Sequence, residues 1–138
     1  MNCEAGGDTR AGAGVQVLVI DDEPSVADAL KLILEDQGFG VVVAATGREG
    51  IEQTRRVAFG VIVTDLRLPD ADGLDVIDAV REGGGTVPVI LITSHLTEEI
   101  CAEARFRGAE CVAAKPFLPA EIIRLITAVL AARKPGGS

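Results

Sequence analysis

Residues 15–22 read VQVLVIDD, an apolar run that ends in two adjacent carboxylates, Asp21 and Asp22. A second apolar run, VIVT at 61–64, is followed directly by a third carboxylate, Asp65. If the two runs are neighbouring buried strands, three like charges meet at one edge of a sheet, where they repel one another and resist desolvation. A hard divalent cation would relieve that repulsion, and Mg²⁺ prefers such oxygen ligands. A carboxylate beside Mg²⁺ can attack phosphorus, so the pattern indicates phosphoryl chemistry.

The composition limits the class of protein. A chain of 138 residues fits one domain, and its 48% hydrophobic residues can fill a core. That core must be aliphatic, because the chain has four Phe and neither Trp nor Tyr. The net charge of -8 argues against direct binding to nucleic acid or to an anionic membrane. We therefore expect a basic protein surface or a divalent cation as the partner.

The cysteines and the apolar segments predict the compartment. The chain has three cysteines, Cys3, Cys101 and Cys111, and no C-x-x-C pair. Neither a disulfide framework nor a zinc site is therefore expected. Unpaired cysteines are typical of a reducing compartment. No apolar stretch approaches the roughly 20 residues of a membrane span, and the first residues do not resemble a signal peptide. We therefore predict a cytoplasmic location.

Short runs rich in β-branched residues alternate with helix-like segments along the middle of the chain. The runs are apolar nearly throughout, which is typical of strands buried on both faces of a parallel sheet. We predict an α/β fold, (βα)₅, with a doubly wound five-stranded parallel sheet covered by helices. The predicted strands are residues 15–20, 41–45, 61–64, 87–93 and 111–114.

The predicted helices and the predicted ends of the domain complete this organisation. Residues 15–132 form the domain, preceded by a flexible leader at 1–14 and followed by a flexible tail at 133–138. The first helix is predicted to begin near Pro24 and to end at Gly38, and the second spans residues 47–56. The third begins after the turn at Asp72-Gly73, the fourth runs from its N-cap Thr97 to Gly108, and the last begins at Pro119.

Polar residues from four different runs fall at or just after the predicted carboxyl ends of the strands. In open α/β sheets, ligands bind outside those ends. The spacing therefore predicts one site that gathers Asp21, Asp22, Asp65, Thr93 and Lys115.

Over about residues 15–132 the chain resembles the receiver domains of two-component response regulators. The resemblance implies the flavodoxin-like strand order 2-1-3-4-5. It also implies a signalling domain that accepts a phosphoryl group and assists its own phosphorylation and dephosphorylation, rather than an enzyme. The matching segments are IDDEP at 20–24, TDLRLPD at 64–70, ITS at 92–94 and KPF at 115–117, with GREG at 47–50 and GA at 108–109.

The resemblance assigns a metal site and a phosphoacceptor. Asp65 takes the position of the phosphoacceptor. The simpler interpretation of Asp65 is a turn residue that follows a strand. Asp21 and Asp22 take the positions of the acidic residues that hold Mg²⁺, one directly and one mostly through water. The backbone carbonyl of Arg67 would complete the protein ligands. Glu23, the next acidic residue, is expected to be solvated.

The resemblance also assigns the groups that receive the phosphoryl oxygens. Lys115 is expected to pair first with Asp65 and then with the phosphoryl group, and the family usually has the bond to Pro116 in the cis form. Thr93 is expected to donate its hydroxyl to a phosphoryl oxygen. Ser94 stands where a small residue leaves the acceptor accessible.

Three positions depart from the family pattern or vary within it. Val112 occupies the position, three residues before the lysine, that often holds Tyr or Phe, so the aromatic part of the family's switch is missing. Arg67 and His95 flank the acceptor in the family and influence access of water to the phosphoryl group. His95 is otherwise expected to be an ordinary exposed loop residue.

The expected partners are a sensor histidine kinase or a histidine phosphotransfer protein, and a downstream effector protein whose identity the sequence leaves open. We expect a stand-alone receiver, with a receiver cut from a longer regulator as the alternative. A degenerate receiver that binds partners without phosphorylation is a second alternative, although none of its acidic or lysine residues is lost. A small aspartyl-phosphate phosphohydrolase is a third, but that class needs an Asp where this chain has Arg67.

Overall fold

A computed structural model describes residues 14–132 of the chain. The predicted leader at 1–14, apart from Gly14, and the predicted tail at 133–138 lie outside the described residues. Five strands alternate with five helices, as the sequence pattern predicts. The strands are Gln16–Ile20 (β1), Gly40–Ala44 (β2), Val61–Asp65 (β3), Val89–Thr93 (β4) and Cys111–Ala114 (β5). The helices are Pro24–Asp36 (α1), Gly47–Arg56 (α2), Gly73–Glu82 (α3), Glu98–Arg107 (α4) and Pro119–Ala132 (α5).

All neighbouring strands are parallel, and the sheet has the order β2-β1-β3-β4-β5. This confirms the predicted doubly wound, flavodoxin-like (βα)₅ fold. Because successive residues of a strand face opposite sides, each strand supplies two core layers. The layer beneath α3 and α4 includes Leu18, Ile62, Leu91, Ile77 and Ala104. The layer beneath α1 and α5 includes Val17, Val63, Ile90, Leu30 and Ile126.

Burial differs between the central and the edge strands. In β3 and β4 every residue is buried, and in β1 only the first is exposed. The prediction that all five runs are buried on both faces is wrong for β2 and β5, whose residues are mostly half-buried or exposed. An edge strand has a neighbour on one side only, so apolar composition alone does not guarantee its burial.

The strand limits shift slightly from those predicted. β4 begins at Val89 instead of 87 because Pro88 has no N–H to give the ladder, although its carbonyl accepts a hydrogen bond of 2.9 Å from the Ile62 N–H. β3 extends to Asp65, which pairs with Ile92. The third carboxylate is therefore held in the sheet itself.

Helix α4 is tied to α3 at its carboxyl end. Arg107 forms an ion pair of 2.9 Å with Asp78 of α3, and the Arg81 guanidinium donates a 2.7 Å hydrogen bond to the carbonyl of Gly108. Gly108 has a φ of +112°, a conformation that favours glycine at a helix end. At the other end the Thr97 hydroxyl caps the helix by accepting from Ile100 N–H at 3.1 Å, as predicted.

Gly73 allows α3 to begin against the end of β3. A Cβ at this position would lie 2.6 Å from the Asp65 carbonyl oxygen and 3.2 Å from the Leu66 Cα. We expect Gly73→Ala to lower the free energy of unfolding by about 1–3 kcal/mol, because the backbone cannot move aside cheaply. Urea unfolding followed by circular dichroism measures this. In Gly83→Ala the added Cβ meets nothing closer than 3.5 Å, so equal stability of the two variants would contradict the steric argument.

Candidate functional site

The fold brings the predicted site residues to one edge of the sheet. Asp65 and Thr93 are the last residues of β3 and β4, and Asp21 and Lys115 directly follow β1 and β5. Parallel strands place all four carboxyl ends on the same side, so residues far apart in sequence become neighbours. Within this site Asp21, Asp65 and Thr93 are buried, and Asp22 is exposed at the surface.

The three carboxylates form a compact cluster. One oxygen from each of Asp21, Asp22 and Asp65 lies within 4.8 Å of the others. Arg67 lines the same surface depression as Asp22 and Asp65, and its backbone N–H donates a 3.3 Å hydrogen bond to Asp65 Oδ1. The cluster thus gathers carboxylate oxygens from two strand ends beside the backbone of the following loop.

Lys115 inserts its ammonium group among these carboxylates. Its Nζ lies 2.9 Å from Asp65 Oδ2, 3.0 Å from Asp21 Oδ2 and 3.3 Å from Glu23 Oε1. Only 12% of the lysine side chain is exposed, and the Lys115-Pro116 peptide bond is cis. One cation therefore faces three anions at close range.

Glu23 is a residue of the site that sequence reasoning missed. It was expected to be solvated, and its side chain is indeed 59% exposed, yet its carboxylate pairs with Lys115. The two residues are 92 positions apart, so the sequence carries no local signal for their contact.

The electrostatics of the site follow from burial and pairing. Burial raises the pKa of Asp21, and this outweighs the opposing hydrogen bond from the Glu23 N–H and the nearby ammonium of Lys115. Burial alone would lower the pKa of Lys115, but its contacts with Asp65 and Asp21 dominate and raise it. The lysine therefore stays charged at neutral pH, whereas an ionised Asp21 is held at a disadvantage.

The donor atoms fit a hard divalent cation. Asp21 Oδ1 accepts a 2.9 Å hydrogen bond from the Glu23 N–H. Its Oδ2 is fully buried, and the ammonium of Lys115 approaches it to 3.0 Å. A buried carboxylate oxygen with unused acceptor capacity, close to two further carboxylates, suits Mg²⁺.

Ser94, in the loop after Thr93, lines the same depression as Asp22 and Asp65. The Thr93 hydroxyl accepts a 3.1 Å hydrogen bond from the His95 N–H, while Ser94 and His95 are exposed. Because the oxygen accepts in this contact, its proton is left to donate elsewhere. Val112 is half-buried on β5.

Comparison with known proteins identifies the family. The family model described as the response regulator receiver domain matches residues 17–127. The chain belongs to this family. Receiver domains are signalling domains of two-component systems, and they bind Mg²⁺ at an acidic pocket.

Individual relatives agree with this assignment. An uncharacterized 14.6 kDa protein of Leptolyngbya boryana is 36% identical over 83% of this chain and 88% of its own length. The transcriptional regulatory protein TrcR of Mycobacterium tuberculosis is 32% identical over 86% of this chain and 46% of its own. The beryllofluoride-activated NtrC4 receiver domain dimer superimposes with a TM-score of 0.82 at 34% identity, over 86% of this chain and 98% of that one. This receiver thus spans about half the length of the mycobacterial regulators that it matches.

Asp70 is a second residue that the sequence did not single out. Its carboxylate accepts hydrogen bonds from the N–H groups of Gly47, at 2.8 Å, and Arg48, at 2.9 Å. These bonds tie the amino end of α2 to the loop that follows Asp65, and they lower the pKa of Asp70. The partners lie more than 20 positions apart, beyond the reach of any local capping pattern.

None of the helices between residues 14 and 132 combines the length and the apolar character that crossing a membrane requires.

We expect Asp21→Asn to stabilise the metal-free receiver at neutral pH. Since burial raises the Asp21 pKa in the folded state, its contribution to stability is complete below the unfolded pKa and is lost as the pH rises through the folded pKa. In EDTA the variant should therefore unfold at a higher temperature than the wild type at about pH 7, and at a similar temperature near pH 4. Circular dichroism records both, and a lower unfolding temperature of the variant at neutral pH would contradict the prediction. Added MgCl₂ should stabilise the wild type more than the variant.

We expect Asp70→Ala to destabilise the receiver in a pH-dependent way. Because the folded-state pKa is lowered, the contribution of Asp70 is present above the unfolded pKa and is lost as the pH falls through the folded value. The difference in unfolding temperature from the wild type should be largest near neutral pH and shrink below about pH 4. Asp36→Ala, at an exposed aspartate near the end of α1, is the matched control. A difference that stays constant with pH would show that the carboxylate charge of Asp70 is irrelevant.

Proposed function

We propose that Asp65 accepts a phosphoryl group from a sensor histidine kinase or a histidine phosphotransfer protein, with Mg²⁺ held by Asp21, Asp22, Asp65 and the backbone carbonyl of Arg67. The observation that carries this proposal is the position of the Asp65 carboxylate. It lies 2.9 Å from the ammonium of Lys115 and within 4.8 Å of two further carboxylates.

The chain's own groups suit in-line transfer. An oxygen of the ionised Asp65 attacks phosphorus without needing a base, and a P–O bond forms as the P–N bond to the donor imidazole breaks. The electron pair of that bond leaves with the imidazole, which takes up a proton. Lys115 neutralises charge on the moving phosphoryl group, and the Thr93 hydroxyl donates to one of its oxygens. Bound Mg²⁺ supplies further neutralisation of charge on the phosphoryl oxygens.

The acyl phosphate then alters the surface. It adds a charge of about -1.5 to -2, which biases an equilibrium between two arrangements of the domain. With Val112 in place of an aromatic ring, we place the response in the loop after Thr93 and on the surfaces of α4, β5 and α5. Hydrolysis of the acyl phosphate resets the domain. An effector protein in the cytoplasm would read the change, and the domain is a switch rather than an enzyme with a turnover substrate.

Phosphorylation with a small donor tests this proposal. Incubation with acetyl phosphate and MgCl₂ should add one phosphoryl group, seen by intact-protein mass spectrometry as a gain of about 80 Da. Asp65→Asn should abolish the gain, because an amide is a poor nucleophile and carries no charge. Asp36→Asn, a matched change at an exposed aspartate, should keep it.

Other results would redirect the assignment. A full mass gain in Asp65→Asn would move the acceptor to a different residue. Absence of any gain in the wild type, with either acetyl phosphate or a phosphorylated transfer protein, would favour a receiver that binds partners without phosphorylation. Repeated turnover of a small phosphomonoester would favour a hydrolase.

A further inference from the structure

Glu23 is the N-cap residue of α1, but its side chain does not cap the helix. Its backbone carbonyl accepts hydrogen bonds from Val26 and Ala27 at the start of α1, and its N–H donates to Asp21. Its side chain, however, makes no capping hydrogen bond to the helix. Within the described residues, the carboxylate instead contacts Lys115, at 3.3 Å. The backbone of Glu23 is thus fixed while its charge is directed toward the acceptor site.

The contact lies at the entrance of the site. Glu23, Ser94 and Lys115 line both of two neighbouring depressions. One depression is lined by Asp22 and Asp65, and the other is formed mostly by apolar groups of α1 and the segment after β5. The Glu23–Lys115 pair therefore forms part of the boundary that an incoming phosphodonor meets.

Charge around Lys115 is unbalanced. Asp21 and Asp65 are buried beside the ammonium, whereas the Glu23 side chain is 59% exposed. Glu23 thus adds a fourth negative charge to a site that must admit an anionic phosphoryl group, and it shares the Lys115 ammonium with Asp65 and Asp21. A carboxylate at this distance repels an anionic donor and competes with Asp65 for the ammonium of Lys115.

We propose that Glu23 is a positioning residue that shares the Lys115 ammonium with Asp65 and Asp21 and slows phosphoryl transfer from anionic small-molecule donors. This inference rests on the proposed function of Asp65. During transfer from acetyl phosphate, an Asp65 oxygen bonds to phosphorus while acetate leaves with the electron pair of the broken P–O bond. Lys115 neutralises charge on the phosphoryl oxygens in that step, and Glu23 competes with them for the same ammonium.

The proposal predicts that Glu23 affects the rate of phosphorylation more than the rate of hydrolysis. In the forward reaction an anion approaches an anionic site, so the charge of Glu23 opposes it. In hydrolysis the attacking water is neutral, so the charge of Glu23 has less influence. The forward rate should therefore respond to Glu23 and to salt, while the rate of acyl-phosphate loss responds less to either.

Kinetics of Glu23→Gln test the proposal on the full chain. With acetyl phosphate and MgCl₂, followed by timed mass spectrometry, the second-order rate constant should rise about twofold to fivefold at low salt, equivalent to roughly 0.4–1 kcal/mol. Added KCl should raise the rate of the wild type and narrow the difference between the two proteins. Unfolding temperatures of both proteins establish that the variant is folded.

Two further variants test whether the effect depends on the negative charge at Glu23 or on the shape of its side chain. Glu35→Gln removes the same charge from an exposed position about 18 Å further along α1, beyond the screening length of about 8 Å, and should leave the rate unchanged. Glu23→Asp keeps the charge on a shorter side chain, so it should retain the dependence on salt.

The outcomes of these experiments distinguish a failure of the Glu23 proposal from a failure of the proposed function of Asp65. If the wild type takes up no phosphoryl group, the proposed function itself fails. If the wild type is phosphorylated but Glu23→Gln reacts at the same rate or more slowly, Glu23 does not restrain the transfer. A faster rate in Glu23→Gln that persists unchanged at high salt would also overturn the proposal, because an electrostatic restraint must be screened.

Discussion

The contact between the Lys115 ammonium and the carboxylates of Asp65 and Asp21 is the interaction on which the site depends. Without a cation, two buried carboxylates and a nearby third would repel one another at the end of the sheet. Lys115 offsets part of that repulsion, since it lies about 3 Å from both buried groups. One positive charge cannot balance the whole cluster, and the remaining negative charge is what makes the pocket suited to a divalent cation. The same imbalance connects the stability of the metal-free domain to the chemistry proposed for it.

The fold separates the groups that give stability from those that carry chemistry. β1, β3 and β4 are buried and apolar along almost their whole length, and the polar residues are confined to their carboxyl ends. The loop after Asp65 is then fixed from two sides: Gly73 lets α3 begin close to the Asp65 carbonyl, and Asp70 fastens the loop to α2. A rigid sheet and a tethered loop hold the acceptor in place, so binding has less conformational entropy to overcome.

Most of the fold and the centre of the site could be predicted from the sequence, because both depend on periodic or local signals. Apolar runs of strand length define the sheet, and a polar residue at the end of each run must lie at the same edge once the strands are parallel. Glu23 and Asp70 could not be assigned in this way, since their contacts join residues 92 and 23 positions apart and depend on the direction of a side chain. The exposure of β2 and β5 was missed for a related reason, because an apolar strand looks the same in sequence at the edge and in the centre.

The positions of Thr93 and α4 bear on how a charge at Asp65 could reach the surface. Thr93 is buried beside the acceptor, and only the exposed residues 94–96 separate it from Thr97, the N-cap of α4. Of the ten residues of α4, all within the described range, Ala104 alone is buried, so little apolar area holds the helix in one place. Its carboxyl end is tied to α3 through Arg107 and Arg81, whereas its amino end follows the Thr93 loop. A movement of Thr93 toward a phosphoryl oxygen would therefore be felt first at the amino end of α4, and it needs no aromatic ring at the position of Val112.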